Sequence, residues 1–194
     1  LATRTFLAVS RDFFHTRGIY QKSGFTSGEE GPGVILCEGA AGLMRGAYGP
    51  HRCAKGEILT IRAAGWDEAR IRVGAGGWLV PLGNGTFKAG STYDWNSLDE
   101  LPTDAGKERV TGIIQRLGGG RFDIIDHEAG IRPILRRSEP MIGPTGRGSW
   151  MFNGLGSKGS LYAPGMARRL CRWLLDGMEP EPDVNYILFR ASTN

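Results

Sequence analysis

Long hydrophobic runs, clustered metal ligands and blocks of like charge are all missing from this 194-residue sequence. No stretch approaches the roughly 18 apolar residues that a membrane-spanning helix needs. Arg4, Arg11 and Asp12 interrupt the first fifteen residues, so they form no signal-peptide core. Cys37, Cys53 and Cys171 are odd in number, far apart and without a CxxC pair, and His15, His51 and His127 do not cluster. A zinc site is therefore not expected, and the cysteine usage fits a reducing cytoplasm. No basic run exceeds two residues, which excludes a polybasic tail.

What is present is globular in balance. Hydrophobic residues make up 40% and charged residues 23%, which argues against a disordered chain. The length predicts one large domain or one and a half small ones. Glycine is the outlier, 31 residues spread without a period, so collagen and linker readings fail and a chain that turns often or wraps a ligand closely is expected. The net charge is +4, carried by 19 arginines and 5 lysines against 20 acids. That balance permits anion or nucleic-acid binding, although a solvated surface is the simpler reading. The chain opens on Leu1 rather than Met, which suggests a fragment or a processed chain.

Hydrophobic spacing predicts a helix over 3–17, capped by Thr3 or Thr5 and stopped by Gly18, with Phe6, Leu7, Val9, Phe13 and Phe14 on its apolar face. A short strand is expected at 19–25, a loop at 26–33, and a buried strand at 34–37 ending in a small-residue turn. Residues 55–63, 70–73, 77–82 and 86–93 read as strands, and Gly83-Asn84-Gly85 as a hairpin turn. A helix over 103–117 follows from Val110, Ile113, Ile114 and Leu117 at i, i+3, i+4 and i+7. Residues 121–126, 131–135 and 149–153 look extended, a last helix spans about 163–176, and 178–194 reads as a tail. The class is α+β: a central antiparallel sheet with flanking helices, closed by a strand–turn–helix.

Three places could carry chemistry. The first is the turn from Phe152 through Asn153-Gly154-Leu155-Gly156-Ser157-Lys158-Gly159-Ser160-Leu161 into the last helix. Free backbone donors, a helix N-terminus and Lys158 would favour an anion or an electron-rich carbonyl there. The Walker A spacing is absent and the GxGxxG-like spacing alone is weak, so a structural turn and a ligand-binding turn stand level. The second is Gly130-Ile131-Arg132-Pro133. Proline extends Arg132, and a guanidinium among Ile131, Ile134 and Leu135 needs an anionic partner; an internal salt bridge with Asp123, Asp126 or Glu128 is the simpler reading. The third pairs Trp78 with Tyr93 across the hairpin, where they could wall one cavity or be plain aromatic core.

Taken in order, Cys37-Glu38-Gly39-Ala40-Ala41, Lys55-Gly56-Glu57-Ile58-Leu59, Trp78-Leu79-Val80-Pro81, Ala89-Gly90-Ser91-Thr92, Gly130-Ile131-Arg132-Pro133, Pro140-Met141-Ile142-Gly143 and the glycine turn to Ala163-Pro164 resemble the D-amino-acid oxidase/glycine oxidase superfamily of FAD-dependent oxidoreductases. The resemblance covers about residues 5–185. It implies that Arg132 grips a substrate carboxylate and that Trp78 and Tyr93 border the substrate. It also implies that Gly39 and Leu155, Gly156, Ser157, Lys158, Gly159, Ser160 and Leu161 contact FAD. Hydride transfer from an amine-bearing carbon to the flavin is the implied chemistry, with no metal and no covalent protein intermediate.

The same resemblance divides the chain. Residues 1–32 would lead into the FAD domain, 33–46 would supply its strand and turn, 47–139 the substrate-binding domain, and 140–194 the C-terminal FAD-domain segment and tail. The family's opening strand–GxGxxG–helix, which holds the ADP half of FAD, has no counterpart before Leu1, so that segment is an expected partner. A small amine or amino-acid carboxylate is the expected substrate in a cytoplasmic protein, with neither membrane nor nucleic acid expected. Three alternatives accompany this expectation: an oxidase domain acting on modified transfer RNA, a non-catalytic basic module for RNA or another polyanion, and an inert fragment.

Overall fold

A computed structural model of the chain describes residues 2–24, 31–135 and 139–191, with residues 189 and 190 described by their backbone alone. In chain order the elements are α1 (Thr3–Thr16), β1 (Ile35–Leu36), α2 (Gly39–Met44), β2 (Ala54–Arg62), β3 (Arg72–Gly74), β4 (Gly77–Gly83) and β5 (Thr86–Gly90). There follow α3 (Asp104–Leu117), β6 (Asp123–Arg132), β7 (Met141–Pro144), β8 (Trp150–Asn153), a 3-10 turn (Gly156–Lys158), α4 (Gly159–Asp176) and α5 (Tyr186–Ala191). They fall into two compact units: Leu1–Gly39 with Ser138–Asn194, and Ala40–Arg137.

The unit Ala40–Arg137 is built on a five-stranded antiparallel sheet, ordered β3-β4-β5-β2-β6. Its central hairpin forms where the sequence signals it: Asn84 and Gly85 both adopt positive φ, at 54° and 69°, the conformation a tight two-residue turn demands. One face of the sheet is apolar at alternate positions. Leu59, Ile61, Leu79, Phe87 and Ala89 pack there against Val110 and Ile114 of α3. That helix starts where its cap allows, because Thr103 Oγ1 accepts the Gly106 amide at 3.0 Å. The opposite face carries Ile58, Trp78, Gly56, Gly90 and Arg132, as strand alternation requires.

The other unit holds a three-stranded sheet, ordered β1-β8-β7, with β1 parallel and β7 antiparallel to β8. Ile142 from this sheet packs with Met166, Leu170 and Trp173 of α4 and with Val184. The helix α4 ends as expected, on Gly177 in the left-handed conformation at φ 71°.

Several sequence expectations are corrected. Among described residues 19–24 no strand forms; residues 25–30 lie outside the described residues. No residue of α1 is buried, and its N-cap is Ala2 without a side-chain cap, so the apolar face read from its spacing is exposed here. The expected strands 121–126 and 131–135 are instead one strand, β6, because pairing with β2 runs through the polar stretch Asp126-His127-Glu128. The run Met141–Pro144, to which the sequence reading assigns no element, is a strand. The last helix begins at Gly159, with Pro164 inside it, and part of the tail is helical over Tyr186–Ala191.

Candidate functional site

Strand β6 delivers Arg132 to the open face of the five-stranded sheet, where it pairs with Ala54 of β2. The side chain lies over Gly56, so that a methyl group at Gly56 would collide with the guanidinium. Glycine in mid-strand, otherwise unfavourable, is what allows that approach. Ser91 Oγ accepts Arg132 Nη2 at 2.8 Å. The Tyr93 ring lies beneath the guanidinium, its centroid 3.9 Å from Cζ, close enough for a cation–π contact. Tyr93 in turn stacks on Trp95, 5.8 Å between centroids.

A second guanidinium nitrogen is unanswered: Arg132 Nη1 is buried and has no hydrogen-bond partner. Burial pulls the guanidinium below its ordinary pKa, with Tyr93 opposing the shift. The internal salt bridge that the sequence favoured does not form among the described residues. Along an extended strand at about 3.3 Å per residue, Asp123 and Asp126 are carried far from Arg132. Glu128, on the same face, is taken by Lys88 Nζ at 2.6 Å. A fixed, half-buried cation whose Nη1, with its two N–H groups, has no partner is chemically a receptor for a carboxylate, which presents two acceptor oxygens.

Trp78 sits on the same face, opposite Gly90 in the β4–β5 register and packed near Ile58. Tyr93 takes Arg132 and Trp95 as its ring partners rather than Trp78. Sequence reasoning assigned no role to Ser91, Gly56 or Trp95. A mid-strand glycine two residues after Ala54 was the one available signal for the guanidinium's resting place.

In the other unit, β1 and β8 run parallel, so both end toward the same edge of their sheet. Each is followed by glycine with positive φ: Gly39 at 56° after β1, Gly154 at 76° and Gly156 at 59° after β8. Asn153 fastens the two ends together. Its Nδ2 donates to Gly39 O at 3.0 Å, and its Oδ1 accepts the Gly154 amide at 2.7 Å. A methyl group at Gly39 would meet nothing within 4 Å, so the space above it is open. Leu155 opens the 3-10 turn and Lys158 opens α4, neither with a side-chain cap, which leaves first-turn amides for another acceptor. Ser157, Lys158, Ser160 and Leu161 are exposed, while Leu155, Gly156 and Gly159 are half-buried.

Crevices at the carboxyl ends of neighbouring parallel strands are where open α/β sheets hold nucleotide cofactors, and uncapped amides suit the electron-rich edge of a flavin. The residues present thus fit the group. Among the described residues no cluster of His, Cys, Asp and Glu could hold a metal ion, and no helix is long and apolar enough to cross a membrane.

The fold is shared with part of several solved oxidase structures. The chain aligns with the structure of iminodiacetate oxidase from Chelativorans sp. BNC1 at a TM-score of 0.63 and 22% identity, covering 75% of this chain and 42% of that one. With glycine oxidase from Geobacillus kaustophilus the TM-score is 0.62 at 21% identity, over 76% and 42% of the two chains. In sequence it is 29% identical over 178 residues to glycine oxidase of Pseudomonas aeruginosa, covering 88% of this chain and 48% of the relative. Residues 9–173 match the family of FAD dependent oxidoreductases described as DAO, and the chain belongs to that family. It spans about half the length of the curated relative it matches.

Proposed function

We propose that this chain carries the substrate-carboxylate anchor and part of the cofactor cradle of an FAD-dependent oxidase that acts on an amino acid or a related small amine acid. The observation that carries the reading is the buried, unpartnered Nη1 of Arg132. The family match and the similarity to glycine oxidase support it.

In this reading Arg132 binds the substrate carboxylate through Nη1, while Ser91 and Tyr93 hold the guanidinium in one orientation. Trp78 closes the apolar side of the same face. Fixing the carboxylate fixes the amine-bearing carbon relative to it, which is the contribution positioning makes to such a reaction. Gly39 and the backbone from Leu155 to Leu161 would hold the flavin, with Lys158 adding positive charge. When bound, the flavin supplies the acceptor for the hydride that leaves the amine-bearing carbon.

The test is direct. Acetate and glycine are titrated calorimetrically into the wild-type protein and Arg132→Met. A charge-assisted hydrogen bond is worth about 2–3 kcal/mol, so carboxylate affinity falls roughly 100-fold. Equal affinity in the two proteins removes Arg132 as the anchor.

A further inference from the structure

The segment that leaves β5 carries two side chains that contact Arg132, and β2 fixes where that segment runs. Glu57 N donates to Thr92 Oγ1 at 2.9 Å, and Thr92 N to Glu57 O at 3.3 Å. Lys55 and Asp94 exchange backbone hydrogen bonds in both directions, at 2.7 and 3.0 Å. Further on, Lys55 Nζ donates to Asp99 Oδ1 at 2.6 Å. Lys55 and Glu57 flank Gly56, over which the guanidinium lies. The seat of the guanidinium and the path of residues 92–94 are therefore set by three consecutive residues of one strand.

The backbone does not fix the Tyr93 ring. It is 42% exposed, and its hydroxyl makes no hydrogen bond among the described residues. An exposed ring has more than one staggered well open to it, whereas a cation–π contact requires its face at the guanidinium.

The ring stacked on Tyr93 is Trp95, at an interplanar angle of 29°. Side chains two apart along an extended chain point the same way, and Asp94 between them is held in its bridge to Lys55. Asp94 Oδ1 also accepts the amides of Asn96 at 2.8 Å and Ser97 at 3.3 Å, an Asx turn that closes around Trp95. Yet Trp95 is 54% exposed. A large aromatic side chain left so open, with a turn built around it, is no part of a core.

We infer that Trp95 is a positioning residue for the carboxylate anchor: stacked on Tyr93, it keeps that ring against the Arg132 guanidinium and so sets carboxylate affinity without touching the substrate. The inference rests on the reading of Arg132 as the anchor and adds an outer layer to it.

The experiment has two readouts on the purified protein. The first needs no ligand: Arg132 side-chain protons lying over the Tyr93 ring are shifted upfield in the NMR spectrum. In Trp95→Ala these signals move toward ordinary values, as they do in Tyr93→Leu, and in Trp95→Phe they stay shifted. The second is acetate affinity by calorimetry. Trp95→Ala weakens it about threefold to tenfold, the worth of one stacked aromatic pair, and Trp95→Phe restores most of the loss. Added to Tyr93→Leu, Trp95→Ala costs nothing more, because its effect passes through that ring. Melting temperatures change little, since Trp95 is exposed. Arg132 signals that ignore Trp95→Ala, wild-type acetate affinity in that variant, or losses that add in the double variant overturn the inference. The anchor reading fails separately, by acetate binding that ignores Arg132→Met.

Discussion

Glu57 and Arg132 are both charged side chains withdrawn from water, on opposite faces of the same pair of strands, and their surroundings differ in kind. Glu57, with its side chain 5% exposed, accepts the Thr103 amide and hydroxyl, each at 2.8 Å, and lies 2.8 Å from His127 Nε2. Both carboxylate oxygens accept a hydrogen bond from Thr103, and their use is structural: it ties β2 to the capped start of α3. Arg132 has one hydrogen bond, one aromatic face and a buried Nη1 without a partner. A buried charge that is fully answered stabilises its neighbourhood, whereas one left incomplete costs free energy until something binds.

The largest effect that could break this contrast is at Glu57. Replacement by alanine strands Thr103, His127 and the α3 cap at once, and should lower stability by about 3 kcal/mol or more, read from the urea midpoint. The same measurement on Arg132→Met should show no loss, or a gain of about 1 kcal/mol, because an incompletely satisfied buried cation is removed. Equal destabilisation by the two substitutions would erase the distinction between them.

The next test sharpens the geometry without touching the charge. In Gly56→Ala the new methyl collides with the guanidinium, so Arg132 must move, and acetate affinity should fall about tenfold. Ser91→Ala leaves Nη2 without its acceptor and acts on acetate only through the guanidinium's orientation, so it should cost roughly threefold to tenfold, the range of an ordinary net hydrogen bond. Calorimetric titration ranks the two, and a larger loss at Ser91 than at Gly56 would contradict the seating over glycine.

The smallest effect is a matter of pH. Lys55 is almost wholly buried and donates to Asp99 at 2.6 Å, and that hydrogen bond holds the Asp99 carboxyl below its usual range. A depressed carboxyl contributes stability that is complete above its unfolded value, about pH 3.9, and fades as pH falls through the folded one. Urea midpoints across acid pH should show this decline, and Asp99→Asn should flatten it.

The sheet was legible where the signals were local. The Asn84-Gly85 turn, the alternation in β2 and the apolar spacing of α3 each act within a few residues, and each is found where the pattern indicated. The misreadings came from partners distant in the chain. Strand β6 looked broken at its polar centre because the residues that satisfy it, Glu57 and Lys88, lie elsewhere in the sequence. The same distance concealed the state of Arg132. Three acids stand close to it in sequence, yet strand extension removes two and Lys88 claims the third. The helical period of α1 was readable, whereas burial of its apolar face did not follow from it.

Gly56, Gly77, Gly90, Gly106 and Gly118 share a property with consequences for heredity. A Cβ at any of them would strike, respectively, Arg132, the Gly90 carbonyl and Ile113, Ile58, Glu57, or Trp66. Every single-nucleotide change that alters a glycine codon without stopping translation adds such an atom. The gene therefore offers random mutation a broad target in this half of the chain, and drift there should run slowest at codons that encode no side chain at all.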